Sequence, residues 1–128
     1  MKQVIIDTNI LLRLFTGETG LLQDEARKIL NKIDNGKISA LVNELVIAEC
    51  IWVLLSVYKK TKPEVVEAIE NIILRDGYEI RDKDIISESL NIFVKNNISW
   101  VDSYLYCQSK KLNLKLVTFD AKLVKLCK

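Results

Sequence analysis

Short apolar runs alternate with longer amphipathic stretches along the chain. The runs "QVII" (3–6), "ISALV" (38–42) and "LKLVTF" (114–119) are typical of strands in a buried parallel sheet. Between the first two, "LQDEARKILNKIDNG" (22–36) carries apolar residues at helical spacing and ends in glycine, which predicts an amphipathic helix. This alternation favours an α/β sandwich, with helices on both faces of a mostly parallel sheet.

The remaining segments fit the same plan. Asn43 is a suitable N-cap for an apolar helix, and Pro63 suits the first turn of another helix that closes at Gly77. Further helices are predicted for residues 8–15, 82–97, 99–111 and 120–127, and a short strand for residues 78–80.

Size and composition indicate one domain spanning residues 1–128. A single proline and four glycines argue against linkers or a second domain. The apolar run near the amino terminus is too short for a signal peptide, and no stretch approaches the roughly 18 apolar residues of a membrane span. We therefore expect a cytoplasmic protein that does not enter a membrane.

The chain contains no histidine, and this excludes several kinds of site. Ser-His-Asp and Cys-His nucleophilic centres are ruled out, as are histidine-ligated zinc and iron. The three cysteines, Cys50, Cys107 and Cys127, lie far apart in apolar runs. Their spacing predicts core thiols rather than a disulfide framework or a zinc site.

Four acidic residues occupy positions where an α/β sheet places its site. Asp7 and Asp120 end the first and last predicted strands, and Asp102 lies in the first turn of a helix. Glu49 is the single charged residue between Leu45 and Tyr58, where an ionised side chain needs a partner or a metal if it is buried. If the first and last strands are neighbours, their carboxylates share the crevice beyond the strand ends, with Thr118 on the same side as Asp120.

Each of these acids also has an ordinary structural interpretation. Asp7 and Asp120 are common helix-capping residues, and Ser99 with Asp102 fits a capping box. Glu49 could lie on an exposed helix face or pair with a lysine or arginine. The sequence leaves both interpretations open for each residue.

Convergence of the acids would itself require a cation, because carboxylates held close together repel one another. Oxygen ligands suit Mg²⁺ or Mn²⁺ better than zinc, and such an ion is often completed by substrate phosphate. Setting the four acids aside also leaves the 19 basic residues in clear excess, which favours a polyanionic partner.

Four stretches together resemble the PIN-domain ribonucleases, most closely the VapC-type toxins of toxin–antitoxin pairs. They are "VIIDTNILLRL", "VNELVIAECIWVL", "ISWVDSYLYCQSKK" and "LVTFDAKL", and they cover nearly the whole chain in order. Asn43 stands where these toxins often have Ser or Thr, and asparagine caps a helix equally well.

The resemblance implies a fold, an activity and a set of functional residues. The fold is a three-layer α/β/α sandwich with about five parallel strands, and the activity is Mg²⁺- or Mn²⁺-dependent cleavage of RNA. The resemblance also implies frequent homodimerisation and an antitoxin that blocks the site. The family's acidic and supporting polar positions fall on Asp7, Glu49, Asp102, Asp120, Thr8, Asn9 and Thr118.

Basic and aromatic residues give weaker signals. Substrate phosphates could be contacted by Arg13, Lys110 and Lys111, or by Lys59, Lys60 and Lys62, although lysines near helix ends are more often only solvated. Trp52 and Trp100 are expected in the core rather than as stacking platforms for bases.

Two other kinds of phosphoryl-transfer protein fit the sequence less well than a nuclease. A dehalogenase-like phosphatase needs a second acid two residues after Asp7, where this chain has Asn9, and a receiver domain needs paired acids near the first strand. A PIN-like module that binds RNA or protein without catalysis remains the alternative.

Overall fold

The computed structural model describes residues 2–16 and 21–128, and its strands and helices alternate as the sequence predicts. In chain order they are β1 (Lys2–Ile5), α1 (Thr8–Thr16), α2 (Leu21–Asp34), β2 (Ile38–Leu41), α3 (Glu44–Ser56), α4 (Lys62–Ile73), β3 (Tyr78–Glu79), α5 (Lys83–Lys95), α6 (Trp100–Leu112) and α7 (Ala121–Leu126).

The described strands form one parallel sheet in the order β1-β2-β3. Lys2 lies opposite Ile38 and Ile5 opposite Leu41, and Ala40 of β2 lies opposite Tyr78 of β3. Parallel neighbours need a crossover between them. The helices α1 and α2 lie between β1 and β2, and α3 and α4 lie between β2 and β3. The predicted α/β class with a parallel sheet is confirmed.

The number of strands is smaller than expected. Within the described residues the sheet has three strands rather than about five, and the run "LKLVTF" (114–119) is not one of them. The chain leaves α6 through Asn113, whose φ of 54° is left-handed, and the Leu114 carbonyl then accepts a hydrogen bond from the Ser109 hydroxyl. Val117 and Phe119 are consequently exposed, at 82% and 105%.

The main core lies between the sheet and the helices that cover it. Its most deeply buried side chains include Leu11, Ile47, Leu54, Ile69, Ile86, Leu90 and Phe93. A second, smaller cluster of Ile85, Tyr106, Cys107 and Leu123 joins α5, α6 and α7. Cys50 and Cys107 are buried as predicted, but Cys127 is exposed because it lies just beyond the last helix.

Local signals define most helix starts. The Asn43 carboxamide accepts from the Leu45 amide at 2.7 Å, and Thr61 and Glu64 form a reciprocal capping box at the start of α4. Gly77, with a φ of +90°, allows the turn into β3, where an added Cβ would meet Ile33 Cγ2 at 2.9 Å. In the described part of the chain, no helix is both long and apolar enough to cross a membrane.

Candidate active site

Asp7 follows β1 and starts α1. Its Oδ1 accepts a hydrogen bond from the Ile10 amide at 3.0 Å, so the carboxylate caps the helix. The side chain is exposed and lines a cavity of about 420 Å³ together with Ile5 and Ile10. Asp7 is therefore solvent-accessible and follows the carboxyl end of β1, where α/β sheets place their sites.

Glu49 lies in the second turn of α3, and its side chain is exposed. Leu45, one turn before it, and Trp52, one turn after it, are exposed at 76% and 64%. The apolar helix thus presents one face to solvent, and Glu49 is part of that face. This explains how the chain accommodates a carboxylate there without burying its charge.

The two tryptophans have different environments. Trp100 is buried, and its Nε1 donates to the Ser89 hydroxyl at 2.8 Å. The prediction of a core residue is confirmed for Trp100 and is wrong for Trp52, because Trp52 lies on the exposed face of α3.

The Cys50 thiol is a neighbour of both Asp7 and Glu49. Burial raises the pKa of Cys50 to about 12, and the negative charges of Glu49 and Asp7 add to the effect in that order. The thiol also lies 3.9 Å from the Thr8 carbonyl oxygen, at the start of α1. Asp7 and Glu49 therefore act on one region, where the end of β1 meets α3.

Asp102 and Asp120 line one cavity of about 370 Å³. Asp102 is half-buried in the first turn of α6, and its amide donates to the Ser99 hydroxyl at 3.1 Å. Asp120 precedes α7, and its Oδ1 accepts from the Leu123 amide at 3.0 Å. The Asp120 amide in turn donates to the Thr118 hydroxyl at 3.0 Å.

The capping interpretation holds for Asp7 and Asp120, and each carboxylate can also have a second role. In each, the cap uses Oδ1, and the carboxylate has a second oxygen that can bind a cation. At α6, the Ser99 hydroxyl is the cap and Asp102 supplies the amide. Capping and cation binding are therefore compatible at Asp7, Asp102 and Asp120.

The four acids are arranged as two pairs. Asp7 precedes Thr8, whose carbonyl contacts the thiol of Cys50, and Glu49 precedes Cys50. Asp102 and Asp120 share a cavity. Across residues 2–16 and 21–128, no three acidic or cysteine side chains are gathered closely enough to hold a metal ion. Carboxylate oxygens suit a hard divalent cation. In this arrangement, however, each pair would supply only two carboxylates to one ion.

The polar residues that the resemblance implies lie near Asp7 or near Asp120 in the sequence. Thr8 is buried and Asn9 exposed at the start of α1, and Thr118 is half-buried beside Asp120. Arg13 is half-buried in the last turn of α1.

Lys110 and Lys111 lie in the last turn of α6, away from Asp102. Eight residues of helix separate Lys110 from Asp102, which is roughly 12 Å along the axis. The Lys110 ammonium lies 5.1 Å from the centre of the Tyr106 ring, and Lys111 pairs with Asp84 at 3.7 Å. Both lysines thus have contacts within the protein, at the end of α6 remote from the acids.

Sequence reasoning missed the role of Lys62 within the fold. Its ammonium donates to the carbonyls of Phe93, Asn96 and Ile98, at 3.0, 2.9 and 3.2 Å. These carbonyls occupy the three donors of the ammonium, so in this structure Lys62 serves the fold. Only the tertiary structure places residue 62 beside residues 93–98, so no local pattern could have revealed the contact.

Comparison with known proteins gives the following relationships. Residues 4–128 match the sequence model of a protein family that is described as "PIN domain". The chain is similar to a VapC ribonuclease of Aquifex aeolicus (strain VF5), with 24% identity over 123 residues that cover 95% of this chain and 90% of that protein. No solved structure matches the chain significantly.

Proposed function

The chain belongs to the PIN domain family, and from that premise we propose that it is a metal-dependent ribonuclease that hydrolyses RNA phosphodiester bonds. The observation that carries the proposal is the cavity lined by both Asp102 and Asp120 beside Ser99 and Lys122. The similarity to a VapC ribonuclease supports RNA as the substrate.

The proposed nuclease domain spans residues 1–128, and Mg²⁺ or Mn²⁺ would be held by Asp7, Asp102 and Asp120. Such an ion lowers the pKa of a bound water and stabilises negative charge on the phosphate. Glu49, on an exposed helix face, would bind a second ion or orient the attacking water by accepting a hydrogen bond from it. Thr8, Asn9 and Thr118 would hydrogen-bond these carboxylates or the phosphate, and Arg13, Lys110 and Lys111 are proposed contacts for the RNA backbone.

The proposal requires the two acidic pairs to approach each other. Ile5, on the open side of β1, is 76% exposed, and Val117 and Phe119 are exposed in the segment that leads to Asp120. Contact between these apolar side chains would bury them and carry Asp120 towards Asp7. Slower hydrogen exchange of residues 114–119 on addition of Mn²⁺ would support this movement, and unchanged exchange would contradict it.

The proposal extends to the biological setting. A toxin of a toxin–antitoxin pair would act on RNA in the cytoplasm, and a cognate antitoxin would block its site. A homodimer fits the exposed apolar residues of α3 and α6, which include Leu45, Trp52 and Val101. The alternative is a PIN-like module that binds RNA or protein without cleaving it.

Cleavage of structured RNA tests the proposal. Purified protein is incubated with RNA and Mg²⁺ or Mn²⁺, with and without chelator, beside the variants Asp102→Asn and Asp120→Asn. Asp24→Asn, which changes an exposed carboxylate on α2, is the matched control. We expect cleavage by the wild type and the control, and a loss of cleavage with chelator and in both site variants. Binding of RNA without cleavage at any metal concentration would instead support the silent module.

A further inference from the structure

The turn between α5 and α6 is held by a lysine from a distant part of the chain. Lys62, the first residue of α4, donates its ammonium to the carbonyls of Phe93, Asn96 and Ile98, within 2.9–3.2 Å of each. The same ammonium lies 4.3 Å from the centre of the Phe93 ring. Three carbonyls thus turn inward to a single charge, which fixes the path of the backbone through residues 96–98.

A second lysine completes the arrangement. Lys122 donates to the Asn97 carbonyl at 3.0 Å, so the carbonyls of three successive residues, 96–98, each accept from a lysine. The two ammonium groups lie near each other, because they bond adjacent carbonyls. Burial lowers the pKa of Lys62, and the positive charge of Lys122 lowers it further. Keeping two like charges on one turn costs free energy, which the charge-assisted hydrogen bonds to the carbonyls offset.

This turn leads directly into the proposed site. Ser99 follows Ile98, and its hydroxyl accepts from the Asp102 amide at 3.1 Å. Lys122 lies two residues after Asp120, and Ile98, Ser99, Asp102, Asp120 and Lys122 all line the same cavity. The direction of the 96–98 backbone therefore determines where Asp102 stands relative to Asp120.

We infer that Lys62 is a positioning residue for the nuclease site: its contacts with the α5–α6 turn hold Asp102 in place facing Asp120. The inference rests on the proposed function. Lys62 touches neither acid and acts through the backbone of the turn. The end of α5 has its own cap, since the Asn96 amide and its side-chain Nδ2 both donate to the Ile92 carbonyl, at 3.0 and 2.9 Å. Because α5 does not need Lys62 as a cap, we attribute the contact of Lys62 with the Ile98 carbonyl to fixing the backbone where α6 begins.

Two substitutions separate positioning from general support of the fold. Lys62→Met keeps the length of the side chain and removes the charge. Lys62→Arg keeps the charge, but its planar donors cannot be directed at the three carbonyls as an ammonium can. Lys95→Met is the matched control, because Lys95 is exposed in the last turn of α5.

The first measurement is a titration with Mn²⁺ alone, without RNA. Binding is detected by NMR as paramagnetic broadening of the amide signals of residues 99–103. In the wild type and Lys95→Met, broadening should occur at the same Mn²⁺ concentration. In Lys62→Met, we expect the same broadening to need roughly 10- to 100-fold more Mn²⁺, because loss of a residue that orients a metal ligand weakens metal binding by about this factor. The concentration needed by Lys62→Arg should lie between those of the wild type and Lys62→Met. Equal Mn²⁺ dependence in all four proteins would overturn the inference.

The second measurement is the Mn²⁺ dependence of RNA cleavage. A misplaced metal ligand should lower kcat at low Mn²⁺, leave KM nearly unchanged and be rescued by excess Mn²⁺. A merely structural loss would reduce activity equally at every Mn²⁺ concentration and would overturn the inference. If Lys62→Met does not fold, the comparison of Lys62→Arg with the wild type decides by the same criteria. A wild type that binds Mn²⁺ but cleaves no RNA would refute the proposed function alone, and the amide signals would still test Lys62.

Discussion

Asp7 and Asp120 each have two carboxylate oxygens, and one of them has a structural task. Each Oδ1 caps a helix, through the Ile10 and Leu123 amides respectively. Asparagine can accept the same hydrogen bond through its carbonyl oxygen, but it carries no charge. Substitution by asparagine therefore distinguishes the capping role from cation binding at the same residue.

Asp7→Asn should leave the free energy of unfolding nearly unchanged without metal, whereas Asp7→Ala should lower it by about 1 kcal/mol through loss of the cap. Added Mn²⁺ should stabilise the wild type more than either variant, because the ion binds the folded protein through the carboxylate. Urea unfolding with and without Mn²⁺ measures both effects. An equal gain from Mn²⁺ in the wild type and Asp7→Asn would argue against Asp7 as a ligand.

The buried thiols predict a defined response to alkaline pH. Burial raises the pKa of Cys50 from 9.0 to about 12 and that of Cys107 to about 11, so the folded protein keeps protons that the unfolded chain loses. Stability should therefore be intact below pH 9.0 and fall as the pH rises towards these values. At about pH 9, iodoacetamide should label the exposed Cys127 of the folded protein and spare the other two thiols. Rapid labelling of all three in folded protein would contradict this prediction.

The helix-capping roles of individual residues were predictable from sequence, but which side chains are exposed and which distant residues they contact were not. The "FD" that precedes the last helix marks Asp120 as a cap, and "VNE" marks Asn43 as another, because such caps depend on a few neighbouring residues. An exposed face was one of two open interpretations of Glu49, and the exposure of Trp52 was not predicted, because α3 is apolar around most of its circumference. The contacts of Lys62 depend on tertiary structure in the same way.

At the scale of elements, α4 begins with the most complete local signal. The Thr61 hydroxyl accepts from the Glu64 amide at 3.3 Å, and Glu64 Oε1 accepts from the Thr61 amide at 3.0 Å. The Thr61 hydroxyl also donates to Glu64 Oε1 at 3.0 Å. The hydrogen bonds that Oε1 accepts, first from the Thr61 amide and then from the Thr61 hydroxyl, lower the pKa of Glu64. Lys62 is the first residue of α4, so this capping box also fixes the backbone position from which the Lys62 side chain extends.

Thr61→Ala should lower the free energy of unfolding by about 1 kcal/mol at neutral pH. The Glu64 contribution is present above its ordinary pKa of 4.5 and is lost as the pH falls through the lowered value, so the deficit of the variant should shrink in acid. Urea unfolding across this pH range measures the deficit, with Glu67→Gln on the exposed face of α4 as the control. A deficit that stays constant into acid would show that the hydroxyl acts without Glu64.

Elements with local signals were predicted well, and pairing between distant elements was not. The helices begin near their predicted caps, and β1, β2 and β3 appear where the apolar runs stand. The run at 114–119 has the composition of a strand, but sheet membership depends on a partner that its own residues do not specify. The resemblance implied about five strands, whereas the described residues contain three.

At the scale of the whole molecule, two helices that contact each other, α3 and α6, both carry exposed apolar residues. Leu45 and Trp52 of α3 and Val101 and Leu105 of α6 are exposed at 76%, 64%, 52% and 38%. Tyr104 of α6 hydrogen-bonds Glu44 at the start of α3, which joins the two helices beside these residues. The proposed homodimer would bury this surface.

Trp52→Lys should convert a homodimer to a monomer without unfolding it, because the side chain is already exposed and a charge would disfavour burial in the interface. Sedimentation velocity measures the state of association. Leu74→Lys is the matched control, since Leu74 is 80% exposed at the end of α4, and it should leave the dimer intact. A wild type that sediments as a monomer at all concentrations would disprove the proposed dimer.

The bare side of β1 also affects how the protein can be handled. Within the described chain, β1 pairs with β2 on one side only, and its other side presents backbone amides and carbonyls beside the exposed Ile5. Such an edge can recruit an extended strand from another molecule, which is a common start of aggregation. Concentrated stocks should therefore cloud on storage, and a short peptide that covers this edge should keep them clear.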